Sequence, residues 1–309
     1  MLDILGKGGC SIGQDNPSHR PSTPPGKTVH QVACRKQPIL AVKLLNMADV
    51  TAEELATLQR EFDWLLSQEV PAVLSQLREA VTECASKFPV PVGSHNADCP
   101  NSSDKFVLTT TDQLKVVVTL SGDSISAAEI NLKLPRPHAK DAYHNTGVRE
   151  DVPWKLQQVQ DAANHLHMAA ESLHPQKEGE ERTFSSAVEV TAFLGTVMGS
   201  LLRARQALVV PKKRTLEDLV NSKNVKSLVP PLPREVAVSF YLQSWKLIFA
   251  VYHMVTDKGV SRFDRYQAEC VVPWVNDVLL LLTVALQVEL SDYYYEQLTF
   301  VHISRLGSS

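Results

Sequence analysis

Cysteine, histidine and glycine-rich segments are the first places to look for chemistry in this chain of 309 residues. The five cysteines, Cys10, Cys34, Cys84, Cys99 and Cys270, are odd in number and irregularly spaced, so they spell neither a disulfide framework nor a zinc site. A reducing compartment is expected. Cys270 stands beside Glu269 in an apolar context and reads as a packed thiol rather than a nucleophile. His165 and His167, two residues apart, point in different directions on a helix and have no Cys or carboxylate at metal spacing. Gly26-Lys27-Thr28 resembles the end of a phosphate loop, but Pro21 occupies the place of the leading glycine and no strand comes before it. Gly6-Lys7-Gly8-Gly9 fails in the same way. No Gly-x-Ser-x-Gly turn is present, so no catalytic set, metal or cofactor is expected.

Charge excludes further classes. The net charge is −3, of which residues 1–46 hold +4 and the remainder −7. An acidic body has no footprint for nucleic acid or anionic lipid. Arg203 and Arg205, with Lys212-Lys213-Arg214 beyond, fit a helix carboxyl end better than an import or acidic-partner patch. The longest apolar stretch, Val278 to Leu286, falls short of the ~18 residues of a membrane span. The start of the chain lacks the basic-then-apolar pattern of a secretory signal, so the Asn101-Ser102-Ser103 glycosylation pattern is set aside.

Residues 1–46, rich in Pro and Gly, read as a disordered or non-native extension, with Met47 as the expected start. A first bundle helix is expected over 47–90, opened by a Thr51–Glu54 capping box and striped by Leu55, Leu58, Phe62, Leu65, Val73, Leu77 and Cys84. Pro71 should kink or break it. A β-meander domain occupies 101–150, with strands at Phe106–Thr110, Leu114–Ser121 and Glu129–Leu134 and a turn at Gly122-Asp123.

Residues 151–309 read as the remainder of the helical bundle. Leu156 to Leu173 and Ala187 to Leu208 step by three and four residues, as heptad-like helices do. Val238, Tyr241, Trp245, Ile248, Tyr252 and Val255 suggest a third helix after Pro230-Pro231-Leu232-Pro233, and Val275, Leu279, Leu282 and Leu286 a fourth after Pro273. Trp64, Trp154, Trp245 and Trp274 read as core or interhelix packing. The expected fold is α+β: a mostly helical antiparallel bundle of early and late helices with a small antiparallel β-sheet domain.

Three motifs add a resemblance. Glu61-Phe62-Asp63-Trp64-Leu65-Leu66 with Val73-Leu74 resembles the opening of the Rogdi proteins, an atypical leucine-zipper family. Trp154-Lys155-Leu156-Gln157-Gln158-Val159-Gln160-Asp161-Ala162 with Asn164 resembles their central helix, and Glu269-Cys270-Val271-Val272-Pro273-Trp274-Val275-Asn276-Asp277 the start of their last one. The likeness runs in order from about Met47 to about Gln287. The segment Asp257 to Ala268 departs from the family in being shorter than its link between the last two long helices, which normally adds strands to the sheet. The resemblance implies a non-enzymatic adaptor like the second subunit of the RAVE complex. Such a protein binds a rabconnectin-3-type WD-repeat scaffold and promotes assembly of the vacuolar-type proton pump. It implies a cytoplasmic protein, peripheral on endosomal or synaptic-vesicle membranes through its partners, with the nuclear envelope as a further site. The competing reading, a nuclear leucine-zipper DNA binder or regulator, needs a basic helix, and Glu53, Glu54, Glu61 and Asp63 oppose it.

Overall fold

The computed structural model describes residues 52–92, 103–110, 113–136, 140–174, 182–257 and 260–288. The extension 1–46, the Met47 start, Thr51, both glycine-lysine loops, Cys10, Cys34, Cys99, Asn101-Ser102 and the tail with Tyr293 to Tyr295 lie outside them. The chain divides into two units, Met1–Thr57 and Leu58–Ser309, and the second holds all the described strands.

Apolar stripes at helical spacing form helices where one face is buried. The first stripe runs through α1 (Ala52–Trp64), a five-residue π turn (Leu65–Glu69) and α2 (Val70–Lys87). Pro71, in the first turn of α2, has no N–H to continue the ladder, and its ring opposes the carbonyl four residues back. The expected break is a π turn in which Val70 donates its N–H to Leu65 O while Leu65 stays buried. The central stripes form α3 (Gln157–Leu173) and α4 (Ala187–Val209).

These helices pack antiparallel, because Gln158 at the start of α3 bonds Ala207 O near the end of α4 at 2.8 Å. Arg78 of α2 donates Nε–H to Leu173 O, one of the carbonyls that α3 cannot satisfy internally. Beyond α4 come α5 (Leu216–Val220), opened by a Thr215–Asp218 capping box, and after the sheet α6 (Pro273–Gln287). α6 lies antiparallel to α2: Cys84 Sγ sits 3.9 Å from Val278 O, and the Phe88 and Trp274 rings are 5.9 Å apart. By length and composition alone α4 could cross a membrane, a property absent from the apolar runs weighed in the sequence. Its face of Val190, Leu194, Val197, Leu201, Ala204 and Leu208 is buried in the core.

The sheet is larger than the sequence suggested. Its strands are β1 (Ser103–Thr109), β2 (Leu114–Ser121), β3 (Ser124–Leu134), β4 (Ala142–Val148), β5 (Trp154–Lys155), β6 (Leu228–Val229), β7 (Val236–Gln243), β8 (Lys246–Asp257) and β9 (Val260–Val271). Eight follow the order β6-β4-β3-β2-β1-β9-β8-β7, with β5 paired to β3 off that path, all antiparallel. The expected meander is there, and its Gly122-Asp123 turn has Gly122 at φ 60°, where a side chain would be strained.

The expectation of a mostly helical bundle with a small sheet is therefore overturned. The supposed third helix is the hairpin of β7 and β8. Nearly every residue of β7 is buried, because the main core covers one face and Leu219 of α5 covers Ala237, Ala250 and Tyr252 on the other. A strand buried on both faces is apolar almost continuously, so any period can be drawn through it. The short Asp257–Ala268 segment does add to the sheet, as most of β9, whose first residue Val260 pairs with Asp257 at the end of β8. Two of the four tryptophans contradict the packing expectation: Trp64 is 50% exposed and Trp245, in the β7–β8 turn, 45%.

Gly147, which reads as loop punctuation in the sequence, lies within β4 opposite Glu129. A Cβ there would stand 2.5 Å from Ala128 O, a backbone atom of the neighbouring strand. Gly147→Ala is expected to lower stability by about 1–3 kcal/mol through forced strand separation, read as a shift in the urea midpoint. An unchanged midpoint would show that β3 and β4 part without strain.

Candidate functional site

The central motif builds the joint between sheet and helices. Trp154 and Lys155 pair as β5 with Ile125 and Ser124, and Leu156 N–H reaches Asp123 O at 2.7 Å. The Trp154 indole, 2% exposed, meets Phe240 of β7 edge to face at 5.3 Å, and Phe240 leans on Phe249 of β8 at 4.7 Å. Such pairs add to the large apolar burial of the rings themselves. The Asn224 amide copies a strand partner, donating to Lys155 O at 2.9 Å and accepting Lys155 N–H at 3.3 Å.

Gln158 completes the joint. Its amide nitrogen donates to Ala207 O at 2.8 Å and Leu242 O at 2.9 Å, and its oxygen accepts Leu242 N–H at 2.8 Å. Leu242 sits on the outermost strand of the sheet, β7, and Ala207 O belongs to the last turn of α4, so both offer backbone groups that their own element leaves unpaired. One buried side chain thus ties α3, α4 and β7.

The other motif residues fall into two sets. Phe62, Leu65 and Leu156 are buried, Leu66 is half-buried, and Trp274 packs on the core. Glu61, Gln157, Asn164, Pro273, Asn276 and Asp277 are exposed. Along α3, Gln157 donates to Asp161 and Gln160 to Asn164, while Lys212 reaches Asp161 at 2.6 Å and fastens the segment after α4. Partial burial pushes the Asp161 carboxyl up, but the hydrogen bonds from Lys212 and Gln157 and the Lys212 charge outweigh it and hold it below the usual range.

Neither described cysteine is poised for nucleophilic chemistry. Burial, with Glu269 adding to it, pushes the Cys270 thiol up to about 11, and burial with Glu83 pushes Cys84 up to about 12. Both are protonated at neutral pH, as befits packed thiols. His165 and His167 are half-buried rather than simply on the surface; His167 stands 3.6 Å from Glu171, while His165 Nδ1 is buried without a partner among the described residues. His253 of β8 is in the same state, and burial lowers its pKa. Among the described residues no three His, Cys, Asp or Glu side chains gather to hold a metal.

Phe240, Phe249, Leu242 and Asn224 complete the joint without any sequence motif singling them out, and Lys212, read in the sequence only as part of a basic run beyond a helix end, joins them through Asp161. The aromatic and β-branched density of Val236 to Val255 was the available signal for the first three.

Comparison with known proteins agrees with this architecture's motifs. A family model described as "Rogdi leucine zipper containing protein" matches residues 61–273. The chain is 48% identical over 237 residues to "Protein rogdi" of Drosophila melanogaster, covering 76% of this chain and 86% of that one. It is 35% identical over 266 residues to "Protein rogdi homolog" of Homo sapiens, covering 77% and 90%. The Caenorhabditis elegans "Protein rogdi homolog" is 31% identical over 191 residues, covering 57% and 64%.

Proposed function

Because the chain belongs to the Rogdi leucine zipper family, we propose that it is a non-enzymatic adaptor of a RAVE-like complex. It would bind a rabconnectin-3-type WD-repeat scaffold and promote assembly of the vacuolar-type proton-transporting ATPase. Family membership over residues 61–273 is the observation that carries this reading. Two structural features support it. The zipper-like stripes of α3 and α4 are spent on each other, leaving no heptad seam of these two helices for a second DNA-binding chain. The two described thiols, Cys84 and Cys270, are protonated at neutral pH, and the relatives' names denote no catalytic activity.

An adaptor changes a pump only by binding its assembled and separated states with different affinity. Loss of this protein is therefore expected to leave the pump subunits present, with less of the peripheral sector on membranes and slower acidification of vesicles. Its own place would be the cytoplasm and, through its partners, endosomal or synaptic-vesicle surfaces. The test is affinity purification of the full chain from cells, read for the scaffold, alongside sector recovery and acidification in null cells with and without re-expression. Absence of the scaffold together with normal acidification would overturn the adaptor reading.

A further inference from the structure

β9 runs on beyond the strand beside it. Its pairing with β1 is the single position Thr109 with Glu269, after which β1 turns back into β2 through the Thr110 N–H to Leu114 O bond. The other edge of β9 is paired with β8 along its whole length.

The direction of the backbone groups follows from one hydrogen bond. Met254 of β8 donates its N–H to Glu235 O, on the side away from β9. In an antiparallel ladder both backbone groups of a residue point the same way, so Phe263, opposite Met254, turns its N–H and C=O away from β8. Alternation gives Ser261, Arg265, Gln267 and Glu269 the same direction, and Glu269 is the residue that Thr109 engages. The outward groups of Ser261, Phe263, Arg265 and Gln267 have no hydrogen bond among the described residues. Only an extended strand matches such a row.

The side chains select which strand. Val260 is 70% exposed and Phe263 46%. Arg262 and Asp264 share a face, with Nε and Oδ1 3.2 Å apart, and Tyr266 follows half-buried on that face. We propose that this edge pairs antiparallel with the same edge of a second copy of the chain, about a two-fold axis through Phe263. Phe263 then meets its own counterpart in a hydrogen-bonded pair. Arg262 faces Asp264 of the second copy and Val260 faces Tyr266, each twice, in the close non-hydrogen-bonded positions where cross-strand side chains interact most. Moving the axis to Arg262, Asp264 or Arg265 sets like charges against each other. Exposed edges are commonly guarded by charge. Here the opposite charges flanking an aromatic repel many foreign strands yet complement themselves, as an isologous contact requires.

Sedimentation velocity on the full chain tests this with Arg262→Asp and Asp264→Arg. Each alone places like charges opposite one another twice per dimer, and should weaken self-association at least about tenfold. An equimolar mixture of the two variants restores opposite charges at both positions, so the mixture should regain the dimer. Thermal melts of the separate variants check that each is folded. Three results would overturn the proposal: a wild-type chain that stays monomeric, a dimer indifferent to both variants, or folded variants whose mixture does not associate. A chain that is monomeric alone but captures an unrelated extended peptide along Ser261–Gln267 would equally replace it.

Discussion

Ending the chain at Val272 is expected to leave a product without a cooperative fold. The removed helix α6 buries Val275, Val278, Leu279, Leu282 and Ala285, and its loss uncovers Cys84 of α2 and Phe88 just beyond that helix. At about 1.5–3 kcal/mol for each large side chain, the lost burial amounts to roughly 6–12 kcal/mol. That is of the order of the whole stability of a typical domain, about 5–15 kcal/mol. Leu282→Asp, which places an unpaired carboxylate in the same interface, should do much of the same damage without shortening the chain. Far-UV circular dichroism and urea unfolding read both. A truncated chain that stays soluble and melts cooperatively within a few degrees of the full one would show that α6 is an appendage.

This result depends on which early helix receives the late one. The stripe in the sequence runs from Leu55 to Cys84, and the contacts shown for α6 fall on its last part, at Cys84 beyond the π turn and at Phe88 just past the end of α2. Pro71 marks the division. Its missing N–H is legible in the sequence; that the helix would resume through a π turn rather than end is decided by the buried packing of Leu65 and Val70.

Elements with one buried face are the ones the sequence reveals. α3 and α4 bury residues at three- and four-residue steps, and β2 alternates Leu114, Val116, Val118 and Leu120 inward, so period and burial coincide. β7 and β8 lie between two apolar layers, and there the period carries no information. Their aromatic and β-branched composition, with Ser244 and Trp245 forming a two-residue turn at positive φ for Ser244, was the better guide. β4 escapes the sequence pattern because Gly147 resembles a breaker when read alone, whereas its lack of a side chain allows close approach to Ala128. The joint was visible only as a family-like motif. The partners of Gln158 are 49 and 84 residues away, a distance that no local pattern spans.

Gln158 carries the second large expectation. With 9% of its surface exposed, it satisfies Leu242 N–H, Leu242 O and Ala207 O together. Gln158→Leu keeps the apolar volume and strands those three backbone groups between α4 and β7. An unsatisfied buried group costs about 1–3 kcal/mol. Allowing for partial relaxation and water entry, the loss should be roughly 3–5 kcal/mol, or about 10 °C in Tm for a unit of this size. Gln158→Glu tells hydrogen bonding apart from packing, because it keeps the shape and removes the donor that faces two carbonyl oxygens. A carboxylate held there favours its protonated form, so its folded pKa lies above its unfolded one and the variant's stability relative to wild type falls as pH rises through that folded value. Urea unfolding of both variants at pH 5 and pH 8 provides the reading. If Gln158→Leu melts within about 2 °C of wild type, water replaces the amide and the joint is held by Trp154, Phe240 and Phe249 alone. If Gln158→Glu shows the same deficit at both pH values, the side chain contributes shape and not its donor.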